Sequence, residues 1–333
     1  MVLPVILGAA AVGAGAFGLK QGLDANSSNS SAKKIQGEAQ AALETAEREL
    51  QNARQTTGAT LEKLGQLKLR VWHSHLGRFV TLYSKLKGVE LSGGAGLGSK
   101  DPLEFGSNDL LEMKDLSLKA GEVIVGGAGA AGAGALAGMA SYGGAMMFGT
   151  ASTGTAIGSL TGAAATNATL AWFGGGSLAA GGLGMAGGMA VLGGIVAGPV
   201  LAVGGIAMAA KAQKNLAEAL SYEAEVEKTV EEMEKAIAVL RAIDKTAALF
   251  DKVIRRLSES MASVLNELED IIISAGNNYD AYNSSQKSVV YLSVQFAGVL
   301  KQLLETPILT PEGALDKTCT NTLQQGVFLL EPA

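Results

Sequence analysis

Apolar positions recur with helical spacing over residues 33–89. One stripe, with spacings of mostly three and four, consists of Ile35, Ala39, Ala42, Ala46, Leu50 and Ala53, and a second continues with Leu61, Leu64, Val71, Leu82 and Leu86. Glu and Lys fill the other positions, as on a helix with one buried face. The pattern predicts a helix of roughly 80 Å.

A stronger repeat follows Lys211, with apolar residues at alternating spacings of four and three. It consists of Val226, Val230, Met233, Ile237 and Leu240 and then, after one three-residue step, Ile243, Ala247, Phe250, Ile254, Leu257, Met261, Val264, Leu268 and Ile271. Such a heptad repeat predicts a coiled-coil seam, and the extra three-residue step predicts a stammer in it. The helix is expected to end near Ala275.

Further segments complete a predicted order of domains. A last helix is expected over residues 285–305, with its buried face formed by Val289, Leu292, Phe296, Leu300 and Leu303. The predicted units are an apolar segment 1–23, a Ser/Asn linker 24–32, a long helix and connector 33–122, an insert 123–210, coiled-coil helices 211–306 and a tail 307–333. The fold class is therefore predicted to be all-α, as an elongated bundle in which the long helices are antiparallel.

The insert differs from the rest of the chain in composition. Residues 123–210 contain 25 glycines and no Asp, Glu, Lys, Arg or His. Each of its apolar flanks, 123–149 and 170–210, is long enough to cross a hydrocarbon core of about 30 Å. Because charged residues stand at both ends, a helical hairpin that returns to its own side of a membrane is the simplest topology.

Glycines in the insert stand four residues apart, a spacing that makes a smooth strip on a helix for close contact in lipid. The candidate helix-contact residues are Gly134, Gly138, Gly154, Gly158, Gly162, Gly184, Gly188, Gly194 and Gly198. Trp172 and Phe173 are candidates for the membrane interface, where Trp is enriched. A core position for these two aromatic residues is an equal alternative.

Two interpretations are possible for the insert, a membrane helix or a buried soluble core, and two for the N-terminus. In water each helical glycine costs about 1 kcal/mol relative to alanine, which disfavours a soluble glycine-rich helix but does not exclude a buried core. In a bilayer the helix is enforced, because backbone groups find no water there. Residues 1–19 are uncharged. A signal peptide has basic residues before its apolar stretch, whereas here the first one, Lys20, comes after it, so a retained apolar helix is favoured.

Composition argues against several other classes of protein. The net charge of −5 and the scarcity of aromatic residues do not suit nucleic-acid binding. A glycine pattern at 126–132 lacks the later acidic residue of a dinucleotide site, and His73 and His75 point apart on a helix. Cys319 is expected to be a packing or surface residue. No enzyme activity, cofactor or metal is therefore predicted.

The layout of helix 33–89, insert 123–210 and helix 211–275 resembles the α-helical pore-forming toxins of the haemolysin E type and related bacterial toxins. This resemblance implies a helical bundle that shelters an apolar tongue, which inserts upon oligomerisation. The glycine-rich stretch 171–182 is also similar to uncharacterised bacterial glycine-zipper membrane proteins. The insert is longer than a typical tongue and leaves room for three or four passes.

The expected function is that of a bacterial membrane-inserting protein that oligomerises and forms a pore. The expected partners are a lipid bilayer and either further copies of the chain or a helical protein, and the expected location is a membrane. The alternatives are a membrane-anchored coiled-coil scaffold without a pore, and a soluble helical protein with a buried glycine-rich core.

Overall fold

The computed structural model describes residues 25–89, 107–125, 140–141, 216–309 and 315–330. Its α-helices are α1, Ala25–Arg70; α2, Gly77–Tyr83; α3, Ser107–Val125; α4, Leu216–Ala275; α5, Ser284–Glu305; and α6, Cys319–Leu330. A π-helical turn, Val71–Leu76, joins α1 to α2, and a short 3₁₀ turn, Tyr279–Ala281, precedes α5. The described residues form no extended sheet, only two isolated bridges. The predicted all-α class is confirmed.

Helix α1 begins at Ala25, so the segment predicted to be a flexible Ser/Asn linker is helical from that residue onward. Extending an existing helix adds one hydrogen bond per residue, whereas only its nucleation is costly. Serine and asparagine lower this gain by only about half a kcal/mol each. The long helix that follows is therefore able to continue backward through them.

The apolar face of α1 is close to the predicted stripe but differs at one position. Ala39, Ala46 and Leu50 are buried as expected, whereas Ala42 is exposed and Leu43 takes its place in the core. A spacing of 39, 43, 46 and 50 is also a helical repeat, and it buries a leucine where the other register buries an alanine. The larger side chain decides the register.

Helices α1 and α4 are parallel, so the predicted antiparallel arrangement of these two helices is wrong. Tyr222 Oη donates to Gln40 Oε1 at 2.8 Å, and Thr57 Oγ1 donates to the Leu240 carbonyl at 3.1 Å. Beyond the helices, Lys87 N donates to the Asn277 carbonyl at 2.8 Å. Residue numbers rise together on both sides of these contacts. The parallel order is possible because residues 84–215 lead the chain back to the beginning of the pair.

The seam predicted for α4 lies along the buried face of this helix. Every one of its residues from Val226 to Ile271 is buried except Val230, which is half-buried against its neighbours. Up to Leu240 the seam packs on α1 in a small cluster, and from Ile243 it belongs to a larger core. The three-residue step therefore marks the point where a pair of helices widens into a bundle.

These two cores divide the described residues into a stalk and a head. The stalk is the pair formed by residues 39–53 of α1 and 222–240 of α4. The head contains α1 from Leu61, the π-helical turn, α2, α3, α4 from Ile243, α5 and α6. Its largest fully buried side chains include Trp72, Phe79 and Phe250.

Helices α5 and α6 close the head. Helix α5 begins one residue before the predicted start, at a capping box formed by Asn283 and Gln286, and ends at Glu305 as predicted. Its predicted buried face is right at Phe296, Leu300 and Leu303, but Leu292 is exposed. Ser293 is buried instead, since its hydroxyl donates to the Val290 carbonyl within the helix.

Helix α6 lies in the segment for which no structure was predicted. It packs closely on α4 and α5 at Gly326, where an added Cβ would lie 2.7 Å from Val253 Cγ1 and 3.0 Å from Leu303 Cδ1. A short helix with Thr, Asn and Gln in its first turns has a weak periodic signal. Its position depends on the two helices that cover it.

Candidate functional site: a buried lysine at the edge of the insert

The two sets of predicted site residues have different outcomes. The seam residues form the contact between α4 and the rest of the same chain, so this face is occupied within the molecule. The candidate glycines of the insert and the aromatic pair Trp172 and Phe173 all lie outside the described residues. No helix of the described ranges has both the length and the apolar character needed to cross a bilayer.

The structure describes the insert at two places. Its first residues, Val123, Ile124 and Val125, form the end of α3, and Val125 is 88% exposed. Ala140 and Ser141 are helical and lie in the head, where they are 0% and 2% exposed. The described parts of the insert therefore lie at the end of α3 and, fifteen residues later, in the head.

Lys68 of α1 lies beside Ala140 and is buried with only 1% exposure. Its Nζ donates to the Ala140 carbonyl at 3.4 Å and to the Thr306 carbonyl at 3.3 Å. The same nitrogen lies 5.6 Å from the centre of the Phe250 ring, within reach of a cation–π interaction. Because α1 is surrounded by other helices here, Leu67 and Leu69 are buried as well.

A second group of hydrogen bonds holds the neighbouring residue. The Ser141 carbonyl accepts from Ile308 N at 2.6 Å and from Leu309 N at 2.9 Å. Ile308 and Leu309 follow α5 and are themselves buried. The connection after α5 thus binds the insert through its backbone, and Lys68 binds both this connection and the insert.

Burial controls the charge of Lys68. Desolvation lowers the pKa of Lys68 to about 7, while the Coulombic interaction with Cys319 acts in the opposite direction. Burial also raises the pKa of the Cys319 thiol, Asp316 raises it further, and Lys68 lowers it. Among the described residues no carboxylate forms an ion pair with Lys68. Lys68 is therefore a buried base that is close to half-protonated at neutral pH.

The histidines lie where α3 crosses the π-helical turn. His73 Nδ1 is 3.3 Å from the Ser117 carbonyl, and an added Cβ at Gly121 would lie 2.7 Å from His73 Nδ1. Burial and Arg78 both lower the pKa of His75. Within the described ranges no three side chains of the His, Cys, Asp and Glu types form a metal-binding group. This crossing positions α3 in the head.

Sequence analysis did not identify Lys68, although a signal was present. Lys68 interrupts a run of apolar positions, Leu64, Leu67, Leu69 and Val71, on α1. A lysine between two leucines in such a run is a candidate for burial. Its acceptors could not be predicted, because they are backbone carbonyls from distant parts of the chain.

Comparison with protein-family models, with curated proteins and with solved structures finds no match to this chain.

Proposed function

We propose that this chain is a bacterial membrane-inserting helical protein that oligomerises through the glycine-spaced faces of residues 123–210 and forms a pore. The observation that carries the proposal is the uncharged composition of this insert, since 88 consecutive residues without a charge suit hydrocarbon far better than water. The resemblance to α-helical pore-forming toxins supports oligomerisation and a pore.

The parallel stalk supports the proposal independently. Residues 1–24 join α1 at Ala25, and residues 142–215 join α4 at Leu216. Because α1 and α4 run in the same direction, both apolar sequences are attached at the same end of the stalk. A protein with this arrangement is able to present residues 1–24 and the last part of the insert to one membrane surface, while the first part of the insert starts at the head.

The test is release of a trapped dye from phosphatidylcholine–phosphatidylglycerol vesicles by the purified full-length chain, together with flotation of the protein with those vesicles. Gly158→Leu places a bulky side chain on the predicted contact strip, and we expect release to slow at least tenfold while flotation persists. Gly37→Leu is the matched control, because an added Cβ at this exposed glycine of α1 meets nothing within 4 Å.

Each outcome separates the parts of the proposal. If Gly158→Leu releases dye at the rate of the unmodified chain, the glycine strip has no part in the pore. Flotation without dye release from the unmodified chain favours the membrane-anchored scaffold. If the unmodified chain neither floats with the vesicles nor releases dye, membrane insertion is rejected.

A second candidate is a helical protein whose glycine-rich part stays packed inside the fold. The burial of Ala140 and Ser141 in the head favours it, since part of the insert already has a protein environment. Extraction of cell membranes with alkaline carbonate distinguishes the two candidates. A packed protein is released into the extract, whereas an inserted one remains with the lipid.

A further inference from the structure

The outer face of α3 carries three exposed apolar side chains at a spacing of seven residues. Leu111, Leu118 and Val125 are 63%, 58% and 88% exposed. Seven residues make almost two turns of an α-helix, so these side chains form one straight ridge along α3. The opposite face of the helix is packed into the head through buried residues such as Leu116 and Ala120. The ridge therefore points away from the head.

A ridge of this kind fits a helix whose own apolar residues repeat at the same interval, as in a coiled coil. The described ranges contain other exposed large apolar residues, but no three of those on one helix are separated by seven residues. The matching surface that the described residues provide is therefore α3 of a second copy of the chain.

Charged residues beside the ridge favour a parallel pair of helices. Lys114 and Asp115 are both exposed, and at roughly 3.6 residues per turn they lie on opposite sides of the ridge, between Leu111 and Leu118. In a parallel pair with twofold symmetry, Lys114 of each helix lies opposite Asp115 of the other, which gives two ion pairs. In an antiparallel pair Asp115 would instead lie opposite Glu122 of the second copy, and these like charges repel.

We propose that the chain forms a parallel dimer through α3, in which Leu111, Leu118 and Val125 each face their counterpart in a second copy. The contact is closed, because both copies use the same face. Its three apolar layers place it among the weak, transient interfaces. The proposal goes beyond the proposed function, since the contact lies outside the glycine-spaced faces and needs no membrane. In such a dimer residues 123–125, where the two inserts begin, lie at the same end.

Disulfide cross-linking of full-length cysteine variants tests the contact in buffer without a membrane. Leu111→Cys meets itself only in a parallel pair, because an antiparallel pair separates the two sulfur atoms by roughly 20 Å. Leu118→Cys lies at the centre of the ridge and meets itself in either direction. With a mild oxidant we expect both variants to form dimers roughly tenfold faster than Ala42→Cys, at an exposed position of α1. The unmodified chain has one cysteine, the buried Cys319, and should form none.

The pattern of cross-linked dimers decides the proposal. Dimers of Leu118→Cys without dimers of Leu111→Cys overturn the parallel arrangement. If neither variant forms dimers faster than Ala42→Cys, the ridge is not an interface between copies and has another occupant, such as the chain's own insert.

A charge exchange tests the direction of pairing independently. In the Leu111→Cys chain, Asp115→Lys places lysines of the two copies opposite each other, and we expect cross-linking to slow about fivefold at low salt. Addition of Lys114→Asp restores opposite charges across the pair, so the rate should return. A charge-exchanged chain that cross-links as slowly as Asp115→Lys alone overturns the pairing of Lys114 with Asp115.

Sedimentation equilibrium measures the contact without cysteines. Leu118→Glu places two carboxylates against each other at the centre of the ridge and should raise the dissociation constant of the dimer roughly tenfold or more. Val239→Glu changes another exposed apolar residue, on α4, and should leave that constant unchanged. Equal dimerisation of Leu118→Glu and the unmodified chain overturns the proposal.

Flotation with vesicles of phosphatidylcholine and phosphatidylglycerol separates this proposal from the proposed function. Dimers of Leu111→Cys in buffer, with neither flotation nor dye release, support the contact through α3 and reject membrane insertion. Flotation and dye release by a Leu111→Cys chain that forms no dimers, with or without vesicles, reject the contact and support the proposed function.

Discussion

The stalk and the head bury the same two helices, α1 and α4, by different means. In the stalk each helix covers the other, and α1 contributes alanines such as Ala39 and Ala46 to a narrow seam. In the head, α3, α5 and α6 cover the remaining faces, and the buried residues include Trp72, Phe79 and Phe250. A helix pair excludes water from one face of each helix, whereas a bundle excludes it from several.

The stalk and the head also differ in how their buried polar side-chain atoms are hydrogen-bonded. Among the described residues, the buried side-chain atoms without a hydrogen-bond partner are Gln36 Nε2, Arg54 Nε and Nη2, and Asp244 Oδ1. Gln36 and Arg54 flank the stalk on α1, and Asp244 follows its last α4 residue, Leu240, by four positions. In the head the buried Lys68 ammonium has two carbonyl acceptors. An unpaired buried polar atom is costly, so the stalk is expected to open at a lower free energy than the head.

Removal of a large side chain from each core tests this contrast with the largest expected effect. Phe79→Ala in the head should lower the free energy of unfolding by about 3–5 kcal/mol, since it leaves a cavity at a fully buried site. Leu43→Ala in the stalk should speed amide exchange there while the main denaturant transition stays within about 0.5 kcal/mol. If both substitutions lowered the free energy of the same denaturant transition equally, stalk and head would unfold together.

Lys68→Met examines the buried charge of the head. Below pH 7 the depressed pKa of Lys68 costs roughly 5 kcal/mol, because the unfolded chain binds a proton that the folded chain resists. Loss of two hydrogen bonds offsets about half of this. We expect Lys68→Met to be more stable by about 2 kcal/mol at pH 6.

The sign of this effect depends on pH. A base whose folded pKa is lowered gains stability as the pH rises from about 7 toward its unfolded value of 10.5. The advantage of Lys68→Met should therefore shrink over this range and reverse at about pH 8.5. Urea denaturation at pH 6, 8 and 10 measures it, and Lys63→Met, at an exposed position, should show none of this change.

A matched pair of glycine substitutions gives the smallest effects. Gly326→Ala should cost about 1–2 kcal/mol, because its Cβ would lie 2.7 Å from Val253 Cγ1. Gly37→Ala, two residues before the stalk on α1, adds a Cβ that meets nothing within 4 Å and should instead stabilise its helix by about 0.5–1 kcal/mol. Thermal unfolding compares the two variants. A gain at Gly326 would mean that α6 shifts freely on α4 and α5.

Some of the fold was predictable because a periodic pattern reports which face of a helix is buried. The α4 seam and the end of α5 at Glu305 follow from such patterns. The start of α1 was not predictable, since Ser and Asn favour caps in isolation but are tolerated once a long helix extends through them. Helix α6 and the choice of Leu43 over Ala42 depend on the surfaces that cover them.

The candidate site was less predictable than the fold. The uncharged insert is visible in the sequence, but its contact with the head involves Lys68 Nζ and the carbonyls of Ala140, Ser141 and Thr306. Every residue carries a backbone carbonyl, so its use as an acceptor leaves no mark in the sequence. A buried lysine with backbone partners is for this reason difficult to find from composition or spacing.

The amino-acid sequence by itself determined the all-helical class, the buried face of α4 and the uncharged character of residues 123–210. These are local properties, which follow from side-chain type and spacing along one segment. Tertiary structure alone decided that α1 and α4 are parallel, and that Lys68 is buried against Ala140. Both depend on contacts between segments that lie far apart in the sequence, which a local pattern of side chains does not report.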